Sequence, residues 1–312
     1  MILATQTDLL SKLYGDFEAV RMLCEAGFDG IDYSMFPLTA EQHPLLEEDW
    51  KEKALALRAH ADSLGIPFVQ GHAPFSFKDR TPEGWRTHNY FRTVRAIEVA
   101  GVLGIGELIV HPLQFLPYKQ NVQALHDYNM EFFRALIPHA KKAGVRICLE
   151  NMWQRNPKRG NLITHSTCSR AEEAAAWVDE LNDPDTIGYC LDLGHCGLVE
   201  LDAADEIRTL GHRITALHVH DNRGNDEHCS LYTGNINMDD VMNALIDSGY
   251  KGYFTYETGC TMHGAGYRHA PRRVFERDTR LLNPPAFVAE RFIEFDYEVA
   301  EYILKAYDVF EE

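Results

Sequence analysis

The sequence contains no run of about 18 apolar residues, the length that a membrane-spanning helix requires, so we expect no membrane partner. Its first residues carry no basic segment of the kind that opens a signal peptide. The seven cysteines are odd in number and form no Cys-x-x-Cys pair, which is typical of reduced thiols rather than of a disulfide framework. These absences together predict a cytoplasmic protein.

Basic residues are also scarce. Thirty Lys and Arg stand against 47 Asp and Glu, which gives a formal net charge of −17. A surface of this sign repels polyanions, so we do not expect a nucleic acid as partner. A glycine-rich phosphate loop is missing as well. The composition is otherwise typical of a globular protein, with 45% apolar residues in a chain of 312.

Short strand-like runs alternate with longer helix-like runs from end to end. The helical pattern is clearest over 86–103 and 121–141, where apolar residues recur at steps of three or four. We expect Pro138 to kink or end the second of these helices. The glycines at expected C-terminal helix stops are Gly27, Gly65, Gly104 and Gly144. The predicted strands span 2–6, 28–33, 67–72, 107–111, 145–150, 187–192, 214–220 and 252–257.

Seven of the eight predicted strands end on a residue type that binds metals or transfers protons. The steps between successive members are 40, 39, 39, 42, 26 and 39 residues. Because one βα unit takes about 30 residues or more, these steps indicate a repeated βα unit, shortened once before the seventh strand. The seven residues are Asp32, His72, His111, Glu150, Asp192, His218 and Glu257.

The repeat predicts an α/β fold with a parallel sheet. An open doubly wound sheet is the alternative, but it binds ligands mainly at the strands of its switch point. A closed (β/α)8 TIM barrel instead gathers all strand ends at its C-terminal face. We therefore expect 1–312 to form a single TIM-barrel domain, with a final helix over 286–310. The irregular, Arg-rich segment 258–285 is expected to be a solvated loop, a lid or a subunit interface, the last of these in a homo-oligomer.

Four of the strand-end residues form a candidate metal site: Glu150, Asp192, His218 and Glu257. Carboxylate and imidazole ligands suit Mn, Co, Fe or Zn. Cys148 and Cys190 share the faces of Glu150 and Asp192 and are interpreted as small fillers of the barrel. His218 and His220 lie on one face of the same strand, and alternation does not choose between them. Additional candidates for metal or substrate binding are His72, His111, His195, Asp226 and His228.

These residues make the chain resemble the xylose-isomerase-like barrel superfamily, which includes sugar isomerases, sugar epimerases and endonuclease IV. The resemblance covers nearly the whole chain and favours His218 over His220 as a ligand. It is carried by Gly71-His72-Ala73-Pro74, Val110-His111-Pro112, Leu149-Glu150-Asn151, Leu191-Asp192-Leu193-Gly194-His195, Leu217-His218-Val219-His220-Asp221-Asn222, Asp226-Glu227-His228 and Tyr256-Glu257.

In the sugar-converting branches the resemblance implies one divalent metal, often Mn, on the four-residue site. It implies that Glu150 and Glu257 are the catalytic acid/base pair, one removing a proton and the other returning it. It further implies substrate binding by His195 and Arg223. From its position after the fifth strand, Trp153 is a candidate aromatic wall for a small-molecule sugar substrate. We therefore predict a metal-dependent isomerase or epimerase.

Two alternatives stay open. In the endonuclease IV branch nine ligands hold three zinc ions, and this chain matches all nine positions. However, its surface is acidic, and the segment 32–36 lacks the Arg expected to probe DNA. The second alternative is a lyase or dehydratase that acts on an oxidised sugar or an inosose. The chain also departs from many sugar-converting members, because 230–235 lacks their Pro-Gly-x-Gly turn.

Overall fold

The computed structural model describes residues 1–258 and 285–311 of the chain. Eight of the described strands run parallel in one sheet, and two more form a separate antiparallel hairpin. The strands are β1 (Ile2–Gln6), β2 (Gly30–Ser34), β3 (Phe68–His72), β4 (Glu107–Ile109), β5 (Arg146–Glu150), β6 (Trp153–Asn156), β7 (Leu162–His165), β8 (Ile187–Asp192), β9 (Ile214–His218) and β10 (Tyr253–Tyr256).

The sheet closes on itself. Its strand order is β10-β1-β2-β3-β4-β5-β8-β9, and a parallel bridge between Val219 and Tyr256 joins the two ends. At this seam the Val219 amide donates to the Thr255 carbonyl at 2.8 Å, and the Glu257 amide donates to the Val219 carbonyl at 3.1 Å. The predicted TIM barrel is thereby confirmed, and the C-terminal strand ends meet at one mouth.

Helices surround the barrel and follow its strands along the chain. Five of the described helices end at glycines in the left-handed region. Four of these were predicted: Gly27, Gly65, Gly104 and Gly144 have φ values of 103°, 77°, 85° and 71°. The helices are α1 (Asp8–Tyr14), α2 (Asp16–Ala26), α3 (Trp50–Leu64), α4 (Pro82–Arg86), α5 (His88–Leu103), α6 (Val122–Ala143), α7 (Ala171–Leu181), α8 (Leu193–Leu198), α9 (Ala203–Leu210), α10 (Met238–Ser248) and α11 (Ala286–Ala306).

Two apolar layers hold the barrel together. The larger lies between the outer face of the sheet and the helices, and includes Phe133 of α6, which is fully buried. The smaller fills the barrel interior with Ile109, Cys148, Cys190 and Ala216. Burial raises the pKa of both thiols, so the two cysteines act as small apolar side chains there.

The observed elements depart from the sequence prediction in several places. The hairpin β6–β7 was not predicted, since its residues show no clear alternation and stay half-buried. Pro138 does not end α6, which continues to Ala143. Strand β4 stops at Ile109, so His111 follows the strand rather than ending it. The predicted loop over 258–285 lies outside the described residues except at its two ends. Among the described helices, none is long and apolar enough to cross a membrane.

We expect the helix layer to dominate stability. Phe133→Ala removes a buried ring from α6 and should lower the free energy of unfolding by about 3–5 kcal/mol. Phe91→Ala on α5 is the matched control, because that ring is 68% exposed and its loss should change stability by no more than about 0.5 kcal/mol. Urea denaturation of both variants measures the difference, and equal losses would contradict the assignment of the core.

Candidate metal centre

Four predicted ligands come together at the mouth of the barrel. Glu150, Asp192 and His218 are the last residues of β5, β8 and β9, and Glu257 directly follows β10. One ligand atom from each lies within 4.8 Å of the others. All four are buried. The parallel strands thus deliver the predicted donor set to one point.

His218 lies at the centre of this group. Its Nδ1 is 2.8 Å from Glu150 Oε1 and 3.1 Å from Glu257 Oε2. Gln6, at the end of β1, donates from Nε2 to the other oxygen of Glu257 at 2.8 Å. The two glutamates therefore approach the same imidazole nitrogen, and one of them is held in place from a neighbouring strand.

A second group of donors shares Glu150. His111 Nε2 lies 2.8 Å from Glu150 Oε2, and His72 Nε2 lies 3.0 Å from His111 Nε2. The Phe36 ring meets the His72 ring edge-on with centroids 4.7 Å apart, and Phe75 stacks on His111 at 4.3 Å. Burial lowers the pKa of His111 more than the Glu150 carboxylate raises it. A neutral imidazole of this kind is suited to binding a metal ion.

A third group forms on the other side of Asp192. It contains His195, His220, Asp226 and His228, whose ligand atoms also lie within 4.8 Å of one another. His228 Nε2 is 3.0 Å from Asp226 Oδ1, and the His220 ring stacks on the His228 ring at 3.9 Å. His220 Nε2 is 3.0 Å from Asp192 Oδ1, so His220 connects this group to the four-residue site.

Local structure fixes these positions. Asp192 is the N-cap of α8, and its Oδ1 accepts the His195 amide at 2.8 Å. The first turn of α8 therefore places His195 beside the site. Between them stands Gly194, where an added Cβ would lie 1.9 Å from His220 Cε1. Only glycine leaves room there for the His220 ring.

The loop that carries Asp226 and His228 is held by one carboxylate. Asp221 Oδ1 accepts the amides of Asn222, Asn235 and Ile236 at 2.8, 2.9 and 3.2 Å. Its Oδ2 accepts the Gly234 amide at 2.7 Å. Backbone amides at both ends of the loop 222–236 thus donate to one buried aspartate, which fixes the third group relative to β9.

The electrostatics of the mouth favour a bound cation. Five buried or partly buried carboxylates lie there, and within 1–258 and 285–311 their ion-pair partners are histidines, with no Lys or Arg. Buried charges of one sign are costly unless they are paired. This donor set therefore fits a divalent metal ion. The five are Asp32, Glu150, Asp192, Asp226 and Glu257.

The excess of negative charge raises the pKa of two histidines of the third group, His195 and His228. Burial lowers the pKa of His195, but Asp192 and Asp226 raise it further, to about 10. Burial also lowers the pKa of His228, but Asp226 and Glu257 raise it further, to about 10. Without a cation beside them, both rings are protonated at neutral pH.

The two remaining substrate candidates differ in position. Trp153 opens β6 half-buried, with its ring centroid 6.4 Å from that of His195. Arg223 is exposed, and its Nε donates to the Thr233 carbonyl at 2.8 Å. The structure thus places Trp153 beside the candidate metal centre, and its role as an aromatic wall remains a prediction. Arg223 bonds within its own loop. Its predicted role in substrate binding remains a prediction.

Sequence reasoning left three contributors without a role. His220 shares its predicted strand face with His218, and both histidines contact carboxylates of the candidate site. Asp32 was noted at a strand end, and it faces His218 from β2 at 3.2 Å. Gln6 gave no signal, because an isolated glutamine at the end of a strand is indistinguishable from a solvated one until the barrel closes.

The comparison with known families decides the classification. A sequence model of the xylose isomerase-like TIM barrel family matches residues 20–278, which is most of the chain. The chain belongs to this family. An uncharacterized protein of Methanocaldococcus jannaschii is 31% identical over 196 residues, covering 60% of this chain and 62% of that protein. The chain thus spans less than two thirds of that relative's length. A probable endonuclease 4 of Mycoplasmoides gallisepticum is 25% identical over 210 residues, covering 62% of this chain and 64% of that protein.

Solved structures of the family share the same architecture. A D-tagatose 3-epimerase-like protein is 22% identical with a TM-score of 0.71, covering 99% of this chain and 98% of its own. An L-ribulose 3-epimerase is 17% identical with a TM-score of 0.72, covering 98% of this chain and 95% of its own. At this level of identity the similarity establishes the barrel fold.

The Asp221 contacts generate a prediction about the loop. Asp221→Asn retains one acceptor oxygen and should release part of the loop, because the amide nitrogen cannot accept from backbone amides. Hydrogen exchange followed by mass spectrometry should then show faster exchange over 222–236 and unchanged exchange in α6. Asp202→Asn is the control, since Asp202 caps α9 on the surface. Unchanged exchange over 222–236 in Asp221→Asn would show that this carboxylate does not hold the loop.

Proposed function

We propose that this protein is a divalent-metal-dependent epimerase or isomerase of a small sugar. The observation that carries the proposal is the buried set of Glu150, Asp192, His218 and Glu257, which places two glutamates around one metal-type site. The 3-epimerase names of several structural neighbours support the choice of reaction. The metal would be Mn, Co, Fe or Zn, as carboxylate and imidazole ligands allow.

The chemistry needs a proton to leave and return at a carbon next to a carbonyl group. A bound divalent cation polarises the neighbouring oxygens of a ketose and so acidifies the C–H between them. Glu150 and Glu257 would exchange the proton, one as base and the other as acid. Their carboxylates meet at His218 Nδ1 but start from strands on different parts of the barrel. A sugar between them would therefore be reached from two sides.

The third group has a role in this scheme. His195 and His228 can each donate a hydrogen bond to a substrate oxygen from a ring N–H. Trp153 lies beside His195 and would cover an apolar face of the sugar ring. The histidine-lined mouth thus offers hydrogen-bond donors that suit a molecule rich in hydroxyl groups.

The proton transfer can be followed directly. Incubation with D-tagatose, D-psicose and L-ribulose in D2O and Mn²⁺ should replace the C3 hydrogen of an accepted ketose by deuterium, as seen by NMR. Glu150→Gln should reduce the rate by at least about 10²-fold while leaving the circular dichroism spectrum unchanged. Glu107→Gln, on the neighbouring strand at the opposite end of the barrel, is the matched control and should retain activity. Full exchange in Glu150→Gln would exclude its role.

A second function is favoured by one observation. All nine candidate ligands converge in three adjoining groups, which is the donor set of a three-zinc phosphodiesterase, and one relative is called a probable endonuclease 4. The net charge of −17 opposes the approach of DNA. We therefore prefer the sugar enzyme.

Metal content separates the two functions. We expect about one Mn, Co or Fe per chain when protein purified without added metal or chelator is analysed by elemental mass spectrometry. Removal of that metal with a chelator should abolish the deuterium exchange, and added Mn²⁺ should restore it. About three Zn per chain together with cleavage of abasic-site DNA would contradict the proposal and support the phosphodiesterase.

A further inference from the structure

Asp32 has no place in the ligand groups described above, yet it lies against their central histidine. It is fully buried on β2, and its Oδ2 is 3.2 Å from His218 Nε2. This is the imidazole nitrogen that faces away from Glu150 and Glu257. Its second oxygen, Oδ1, is buried without a hydrogen-bond partner among the described residues. The carboxylate is therefore directed at His218 by one oxygen alone.

A glutamine on the adjacent strand holds that oxygen. Gln70 pairs with Asp32 in the β2–β3 register, and its Nε2 donates to Asp32 Oδ2 at 2.8 Å. The same Nε2 donates to the Leu217 carbonyl at 3.2 Å, and the Thr255 hydroxyl donates to Gln70 Oε1 at 3.2 Å. Because a carbonyl can only accept, these contacts fix the orientation of the Gln70 amide. Four strands thus share one buried polar network.

Both ring nitrogens of His218 face carboxylates, Nδ1 those of Glu150 and Glu257 and Nε2 that of Asp32. A carboxylate accepts hydrogen bonds, so Asp32 favours an N–H at Nε2. A cation held by Glu150 and Glu257 would take the place of the proton on Nδ1, and Asp32 would then keep the remaining proton on Nε2. Partners of this kind orient metal-binding imidazoles and increase their basicity.

We propose that Asp32, held by Gln70, is a positioning residue that keeps the His218 proton on Nε2 and presents Nδ1 to the metal ion. This inference rests on the proposed function, since it requires that a divalent cation binds at the four-residue site. It adds Asp32 and Gln70 to the residues on which metal affinity depends.

Three variants test the role of Asp32. Asp32→Leu removes the acceptor and keeps a branched side chain with the same number of heavy atoms, and Asp32→Asn retains an oxygen that can accept the Nε2 proton. Ser34→Ala is the matched control, because Ser34 lies two residues along the same strand, is also buried, and its hydroxyl has no hydrogen-bond partner among the described residues. Circular dichroism and thermal melts of the metal-free proteins establish that each variant is folded.

Titration of the metal-free proteins with Co²⁺, followed by visible absorption and calorimetry, measures the effect. We expect Asp32→Leu to weaken Co²⁺ binding by about 10–100-fold. Asp32→Asn should recover most of that loss, and Ser34→Ala should bind as the unmodified protein does. In proton NMR of the Co²⁺ form, the His218 N–H should appear as a hyperfine-shifted signal that exchanges slowly in D2O. Asp32→Leu should lose that signal or accelerate its exchange.

The outcomes separate this inference from the proposed function. If the unmodified protein binds no Co²⁺, the metal-dependent function is overturned, and this inference with it. If it binds Co²⁺ but Asp32→Leu matches it in affinity and in N–H exchange, only the role of Asp32 is overturned. If Asp32→Leu does not fold, Gln70→Met decides. It should weaken Co²⁺ binding in the same direction by a smaller factor, and unchanged affinity would overturn the inference.

Discussion

Closure of the barrel is the constraint on which the site depends. The seam between β9 and β10 brings Glu257 beside His218, although these strands stand at opposite ends of the sheet order. Five carboxylates then lie together at the mouth, four of them buried and Asp226 partly buried. Within the described chain only histidines neutralise them, and unpaired buried charge is costly. A fold that assembles this mouth is therefore stabilised by protons or by a bound cation, and a metal ion at the proposed site would add to the stability of the barrel.

The barrel interior contains an apolar layer and a polar layer. Small side chains such as Cys148 and Ala216 fill its middle, and they leave space for a layer in which Gln70 connects β2, β9 and β10 through hydrogen bonds. A polar layer inside a barrel is tolerated only when its groups are satisfied. Among the described residues Asp32 Oδ1 has no hydrogen-bond partner, and Asp32 Oδ2 is directed at the His218 imidazole.

Most of the fold could be predicted from the sequence, because each βα unit ends on a polar residue after a buried strand. Seven such residues at a nearly constant spacing define the mouth before any coordinates are known. The hairpin β6–β7 could not be predicted, since it is half-buried and lacks a repeating pattern. Alternation placed His218 and His220 on one face, but only the register between neighbouring strands assigns them to different groups. The side chain of Arg223 is exposed and bonds to Thr233, a contact that depends on how the loop folds back.

The charge at the mouth bears on how many metal ions the proposed function needs. In the absence of a cation, the carboxylates raise the pKa of His195 and His228 to about 10. A divalent ion at the four-residue site would offset two of the five negative charges and weaken this effect. The two histidines would donate hydrogen bonds to a substrate where they keep their protons, and would be metal ligands where they lose them. The proposed sugar chemistry uses the first of these states, and a three-zinc phosphodiesterase would use the second.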